Sequence, residues 1–328
     1  MRSIRRILVA IKDPQSKSLP AVAKAAQLAK ALGARLELFH GISTPLYLNP
    51  YVPAAAQLDR EREIRARFLE QLESIAAPLR RRHIEVSAAA EWDFPTYEAI
   101  VRRAAHTRAD LIVAERHAGG HVGASLLRLT DWELLRLSPV PVLLVKSARP
   151  YRKPVILAAI DPGHAFSKPG TLDRDILQAS TLVSQALRGS LHAMHAYAAP
   201  PLIATPHGII DSSTAEIVEA DAAAEAKRRL DQALRVTKIG RSRRHLVRRN
   251  PIDAIAQMAA KLAPGIVVMG AISRSGLKRL IIGNTAERVL DFLECDVLIV
   301  KPKRFHNKVP RARRGALLSL AVTTGLPV

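Results

Sequence analysis

Acidic residues, cysteine, aromatic rings and long apolar runs are all scarce in this chain, and each shortage removes a class of protein. Asp and Glu number 29 against 50 Lys and Arg, a formal net charge of +21 over 328 residues. A surplus of that sign favours anionic company, whether phosphate, nucleic acid or an acidic membrane surface. Net charge speaks to non-specific attraction rather than to a site, and Arg outnumbers Lys throughout, so specific nucleic-acid recognition is not expected. The single Cys295 excludes an intramolecular disulfide framework and suits a reducing compartment. It lies in "FLECDVLIV", between a helix and a strand, where a small buried thiol is expected. Aromatic residues make up 4% of the chain, and Trp92 and Trp132 read as packing residues rather than base-stacking platforms. The N-terminal apolar run "ILVAI" is too short for the core of a signal peptide. "GALLSLAVTTGLPV", residues 315–328, falls short of the ~18 residues that a bilayer crossing needs. The expectation is a soluble, cytoplasmic protein without membrane insertion.

What the chain does have is a second copy of itself. "RRILVAIKDP" (5–14) returns as "KPVILAAIDP" (153–162), and "ARLELFHGI" (34–42) as "GSLHAMHAY" (189–197). "RADLIVAE" (108–115) returns as "APGIVVMG" (263–270), and "VPVLLVKSARP" (140–150) as "CDVLIVKPKR" (295–304). The second copy is longer in its first loop, around "GHAFSKPGTLDRD". A period this long marks a duplicated domain, not a solenoid. Each copy runs through five short Val/Ile/Leu-rich strands with helices between them, the pattern of a parallel sheet covered on both faces. "LPAVAKAAQLAKALG" is an amphipathic helix stopped by Gly33. "NPIDAIAQMAAKL" opens with Asn250 as cap and Pro251 in the first turn. The domains are expected at 1–150 and 151–304, joined at "YRKP" (151–154), with a basic, disordered tail over 305–328. "VLLVK" and "VLIVK" end the copies as bare apolar edges, which invite pairing, so an intramolecular pseudo-dimer is expected.

The strand "VILAAID", His195 closing the second strand, and "VVMGAISRSGLKRLIIGNTAERVLDFLECDVLIVKP" resemble the universal stress protein family. With "LTDWELLR" in copy one, they resemble its tandem two-domain form, over roughly residues 3–304. The resemblance implies an adenine nucleotide alpha hydrolase-like α/β fold in each copy, doubly wound about a five-stranded parallel sheet. It also implies a nucleotide loop of Gly, two residues, Gly, nine residues, then Gly with Ser or Thr. Glycines in such a loop let the backbone approach phosphate, and the amides of the following helix point at the anion. In copy two Gly270 and Gly283 hold the first and third glycine places. Ser273 stands where the second glycine belongs, adding a side chain to the phosphate path, with Arg274 beginning the nine-residue spacer. Asn284 stands where Ser or Thr belongs, followed by Thr285. By the same resemblance Asp161 would lie near adenine and ribose, and Ala159, Ile160 and Ala196 would line the base pocket. Two readings stay open: ATP bound in copy two only, or a loop whose glycines serve turn geometry alone. In copy one Glu115 replaces the first glycine and Arg128 the third, with Leu129 and Thr130 after it, and a carboxylate there repels phosphate. Copy one is expected to be dead for nucleotide.

Other constellations are weaker. His117 and His121 stand beside Glu115 and near Asp131, but Gly119 and Gly120 between them deny helical facing, so a solvated loop is expected rather than a metal site. His40 and His195 end equivalent strands and read as satisfied, half-buried residues. No nucleophile with a base, and no conspicuous carboxylate pair, can be nominated. Two runs, 235–250 and 301–315, each carry seven Lys and Arg and no acid. They lack the interleaved aromatics of single-strand binders. The leading function is a stress-response regulator without chemistry of its own, gated by adenine nucleotide in domain 2. Non-specific binding of nucleic acid or an anionic surface is the alternative, and an ATPase or nucleotidyl transferase the third. The sequence leaves a homo-oligomer open.

Overall fold

The computed structural model describes residues 3–43, 46–48, 53–116, 132–163, 171–197, 212–270, 290, 292–302, 305, 307–315 and 318–320. The chain divides into two compact units, one of Ile4–Pro150 with the chain from His306 onward, the other essentially Tyr151–Phe305.

In the first unit β1 (Arg6–Ala10), β2 (Arg35–Ile42), β4 (Val86–Trp92), β5 (Leu111–Glu115) and β6 (Val142–Val145) lie side by side in the order β4-β2-β1-β5-β6. Each neighbouring pair is parallel. The crossovers are made by α1 (Pro20–Leu32), α2 (Ala54–Arg80) and α3 (Thr96–Thr107). Leu8, Val9, Leu38, Phe39, Ile112 and Val113 are fully buried, which is why these strands read as unbroken apolar runs. Gly33 ends α1 in the left-handed conformation, φ 62°, with its amide bonded to the Ala29 carbonyl, the stop expected for it.

The second unit repeats the plan with β7 (Val155–Ile160), α4 (Leu172–Ala186), β8 (Ser190–Tyr197), α5 (Ser212–Leu234), β9 (Arg244–Arg248), α6 (Pro251–Leu262), β10 (Ile266–Gly270) and β11 (Asp296–Val300). The order β11-β10-β7-β8-β9 is the first unit's order repeated, read from the opposite end. Asn250 caps α6 as expected, its Oδ1 accepting from the amides of Ile252 (3.1 Å) and Asp253 (3.0 Å). Cys295 is half-buried just before β11, more open than a core thiol because the following residue, Asp296, takes the interior place. Asp296 accepts from the Tyr151 hydroxyl at 2.5 Å, which pins the start of this unit to its last strand.

The described residues of the C-terminal stretch, 307–315 and 318–320, depart from the disordered tail expected over 305–328. Residues 307–315 lie against the first unit, and β12 (Leu318–Leu320) pairs in parallel with a short β3 (Leu46–Leu48). The physical reason is a set of carboxylates at the end of β4 and the start of α3 that are buried and need cations. Glu91, Asp93 and Glu98 are all under 9% exposed, and Arg313 and Arg314 reach them.

Candidate functional site

In both units a parallel sheet delivers the carboxyl ends of its two central strands to one crevice, the usual place for a ligand in open α/β folds. The two crevices differ in charge.

In the second unit β7 ends at Ile160, and Asp161 follows it. The Asp161 amide is held by the Asp173 carboxylate at 3.1 Å; Asp173 is 7% exposed and belongs to the first turn of α4. The Asp161 side chain is 29% exposed and its Oδ1 lies 4.0 Å from Nδ1 of the buried His195. His195 Nδ1 is 3.3 Å from the Ile160 carbonyl, a contact that fixes the ring at the end of β8. Ala159 and Ile160 are paired in register with Met194 and His195, and Ala196 follows on β8 opposite Val247 of β9. From α5, Arg229 sends Nη1 to the Gly163 carbonyl at 3.3 Å. Its guanidinium and the Asp161 carboxylate both border the Cα of Gly163. Arg229, whose Nε also pairs with Glu225 at 2.5 Å, thus borders the crevice; nothing in the run "EAKRRLDQ" distinguishes it from its neighbours in the sequence.

Gly270 ends β10 next to this crevice, and its lack of a side chain has a packing cause. A Cβ there would sit 2.6 Å from Leu172 Cδ2 and 3.2 Å from Ile176 Cδ1, both on α4. Leu172 fills the room, and the glycine is what lets α4 press on the strand. Ser273, Arg274, Gly283, Asn284 and Thr285 lie outside the described residues, as do His117, His121, Arg128, Leu129, Thr130 and Asp131. Of the ten residues expected at the site, the structure therefore gathers Ala159, Ile160, Asp161, Ala196 and Gly270 around one sheet end.

The first unit's crevice carries charged side chains of its own. His40 Nδ1 meets the Ile11 carbonyl at 2.9 Å, as His195 meets that of Ile160, so Ile11 and Ile160 are equivalent. Lys12, not Asp13, then takes the place of Asp161. The repeated "DP" obscures this in the sequence; Asp13 is spent on a turn, its Oδ1 accepting from the Gln15 amide at 2.9 Å. Glu115 closes β5 where Gly270 closes β10. Its Oε1 accepts from the Ala21 amide at 3.0 Å, in the first turn of α1. Burial raises the Glu115 carboxyl above the usual carboxylate range, while the Ala21 amide and the charge of Lys12 pull it back. A resident carboxylate thus stands at the N-terminus of α1, beside the end of β5. Burial likewise lowers the pKa of His40, which is neutral in the fold.

Among the described residues no three His, Cys, Asp or Glu side chains are grouped to hold a metal ion, and no helix is long and apolar enough to cross a membrane. The family model for the universal stress proteins matches residues 3–146 and again 156–301. The chain belongs to the universal stress protein family. It is 28% identical to universal stress protein E of Salmonella typhi over 323 residues, covering 94% of this chain and 98% of that protein. Universal stress protein E of Escherichia coli K12 is 27% identical over 322 residues, with the same coverage. A solved structure of a functionally unknown protein of Pseudomonas aeruginosa PAO1 matches with a TM-score of 0.69 at 26% identity, covering 92% of this chain and 94% of that one. A universal stress protein of Archaeoglobus fulgidus shares the fold at 16% identity, TM-score 0.59, over 91% and 97% of the two chains. Two universal stress domains in tandem make this a stress-response protein of the two-domain type. The universal stress plan also accounts for the shared strand order of the two units.

Proposed function

We propose that this protein is a regulator that takes one adenine nucleotide, ATP, in its second domain and none in its first. The observation that carries the reading is the contrast between two equivalent crevices. The first holds Lys12 and a Glu115 carboxylate already seated on the N-terminus of α1. The second offers Asp161, partly exposed beside Gly163, with Arg229 on one side. A carboxylate at the end of the first strand suits the hydroxyls of a ribose, and a guanidinium suits a phosphate. The amides of Gly283, Asn284 and Thr285 would cradle the phosphates from the loop, with Arg274 adding charge. Among the described residues no metal ligands group to support chemistry beyond binding.

Calorimetric titration of the full chain with ATP tests this. Ser273→Gly clears the phosphate path and should tighten binding; Gly283→Asp should abolish it. No heat of binding from the parent and from Ser273→Gly at millimolar ATP would leave the loop with only its turn geometry.

A further inference from the structure

Beyond nucleotide, the first domain carries a second kind of site. We infer that Glu91, Asp93 and Glu98 form a socket for an arginine-rich extended segment, and that residues 309–314 of this chain occupy it as a ligand in cis. The socket begins with α3: Arg102 donates through Nε and Nη2 to Asp93 at 2.6 and 2.8 Å, and through Nη1 to Glu98 at 2.8 Å. Arg103 pairs with Glu91 at 2.6 Å and also with Glu37. Four carboxylates, Glu37, Glu91, Asp93 and Glu98, thus meet two guanidinium groups from the domain itself. On these contacts alone two negative charges stay uncompensated, and burial makes such an excess costly.

The C-terminal segment supplies two cations, together with backbone contacts that a chance approach of surface charges would not make. Arg314 forms a fork on Glu98, Nε to Oε2 at 3.0 Å and Nη2 to Oε1 at 2.9 Å. Its amide donates to Asp93 Oδ1 at 3.0 Å. Arg313 reaches Glu91 at 2.9 Å. In return Arg102 Nη1 donates to the Pro310 carbonyl at 3.2 Å, and Val309 is 6% exposed. Farther on, the chain adds β12 to β3, beyond the end of β2. Recognition therefore combines two arginines, one main-chain amide, one carbonyl and a small apolar anchor, the elements of a peptide site rather than of a loose ion pair. Arg313 and Arg314 remain more than half exposed on their outer faces, so the ligand lies at the surface of its socket and can be exchanged.

The chemistry identifies the fitting ligand as an extended segment ending in two adjacent arginines, preceded by a small apolar residue and proline. The full chain with Arg313→Ala and Arg314→Ala vacates the socket while leaving the carboxylates in place. A fluorescent peptide of residues 307–320 should bind that variant at least about tenfold more tightly than the parent, whose own segment competes. Adding Glu98→Gln should remove the binding. Equal anisotropy changes with parent and variant, or none with either, would overturn the inference. Should the double variant unfold, hydrogen exchange on the parent decides: the Arg314 amide should be protected in 50 mM salt and lose protection in 1 M salt. Unprotected exchange at both concentrations would refute the cis contact.

Discussion

Replacing Asp93 by Ala should unfold the first domain at markedly lower denaturant while leaving the second domain intact. The carboxylate is 1% exposed and holds three donors: Arg102 Nε at 2.6 Å, Arg102 Nη2 at 2.8 Å and the Arg314 amide at 3.0 Å. Arg102 is itself only 8% exposed, so the substitution strands a buried guanidinium with Glu98 and one carbonyl for company. Removing one partner of a buried pair costs about 3–5 kcal/mol. With a urea dependence of about 2 kcal/mol per molar, the midpoint should fall by roughly 2 M. Both tryptophans, Trp92 and Trp132, belong to the first domain, so their fluorescence reports that domain alone while circular dichroism follows the whole chain. Trp92 is well placed for this, being 7% exposed with its indole N–H on the Glu61 carbonyl at 3.3 Å. Asp93→Asn keeps one acceptor and should lose less. A shift in the fluorescence midpoint below about 0.3 M for Asp93→Ala would mean that the pair is no more than a surface ion pair and the reasoning fails.

Further outcomes follow from the same contacts. Gly270→Ala should destabilise the second domain by about 1–3 kcal/mol through overpacking against Leu172 and Ile176, read from the circular-dichroism transition with or without ATP. The folded-state pKa of Glu115 is raised, so folding is favoured when it is protonated and its penalty grows as pH rises through the carboxylate range; Glu115→Gln should therefore gain in fluorescence-monitored stability at pH 7 relative to the parent and lose that gain at pH 4. His40, lowered by burial, acts in the opposite sense: its contribution is complete above pH 6.5 and is lost as pH falls toward its folded value, so the first-domain midpoint should drop below pH 6.5 and do so less in His40→Gln.

Local signals in the sequence translated directly into structure. Gly33 and Asn250 mark helix ends because a left-handed turn and an amide-accepting side chain are requirements of a few adjacent residues. The duplication and the continuous apolar strands foretold parallel strands in each unit, since burial on both faces leaves that imprint. Contacts between distant residues left no such trace. Nothing in "EWDFPTYE" says that its acids await Arg313 and Arg314 more than 200 residues later, so residues 307–315 read as free when they are docked. The equivalence of Lys12 with Asp161 was hidden for a related reason. An inserted residue keeps the letters "DP" aligned while the strand register moves them by one, and only the histidine contacts to Ile11 and Ile160 reveal it. Gly270 shows the limit of motif reading, because a glycine expected to make way for phosphate also makes way for Leu172.

On the proposed function, the second domain's crevice alone takes ligand, and the first carries Lys12 and Glu115 at the equivalent places. Native mass spectrometry of the freshly purified full chain, titrated with ATP to millimolar concentration, tests it most directly. A single nucleotide adduct per chain is predicted, lost in Asp161→Ala and retained in Glu115→Gln. Two adducts in the parent, or one that survives Asp161→Ala, would contradict the account.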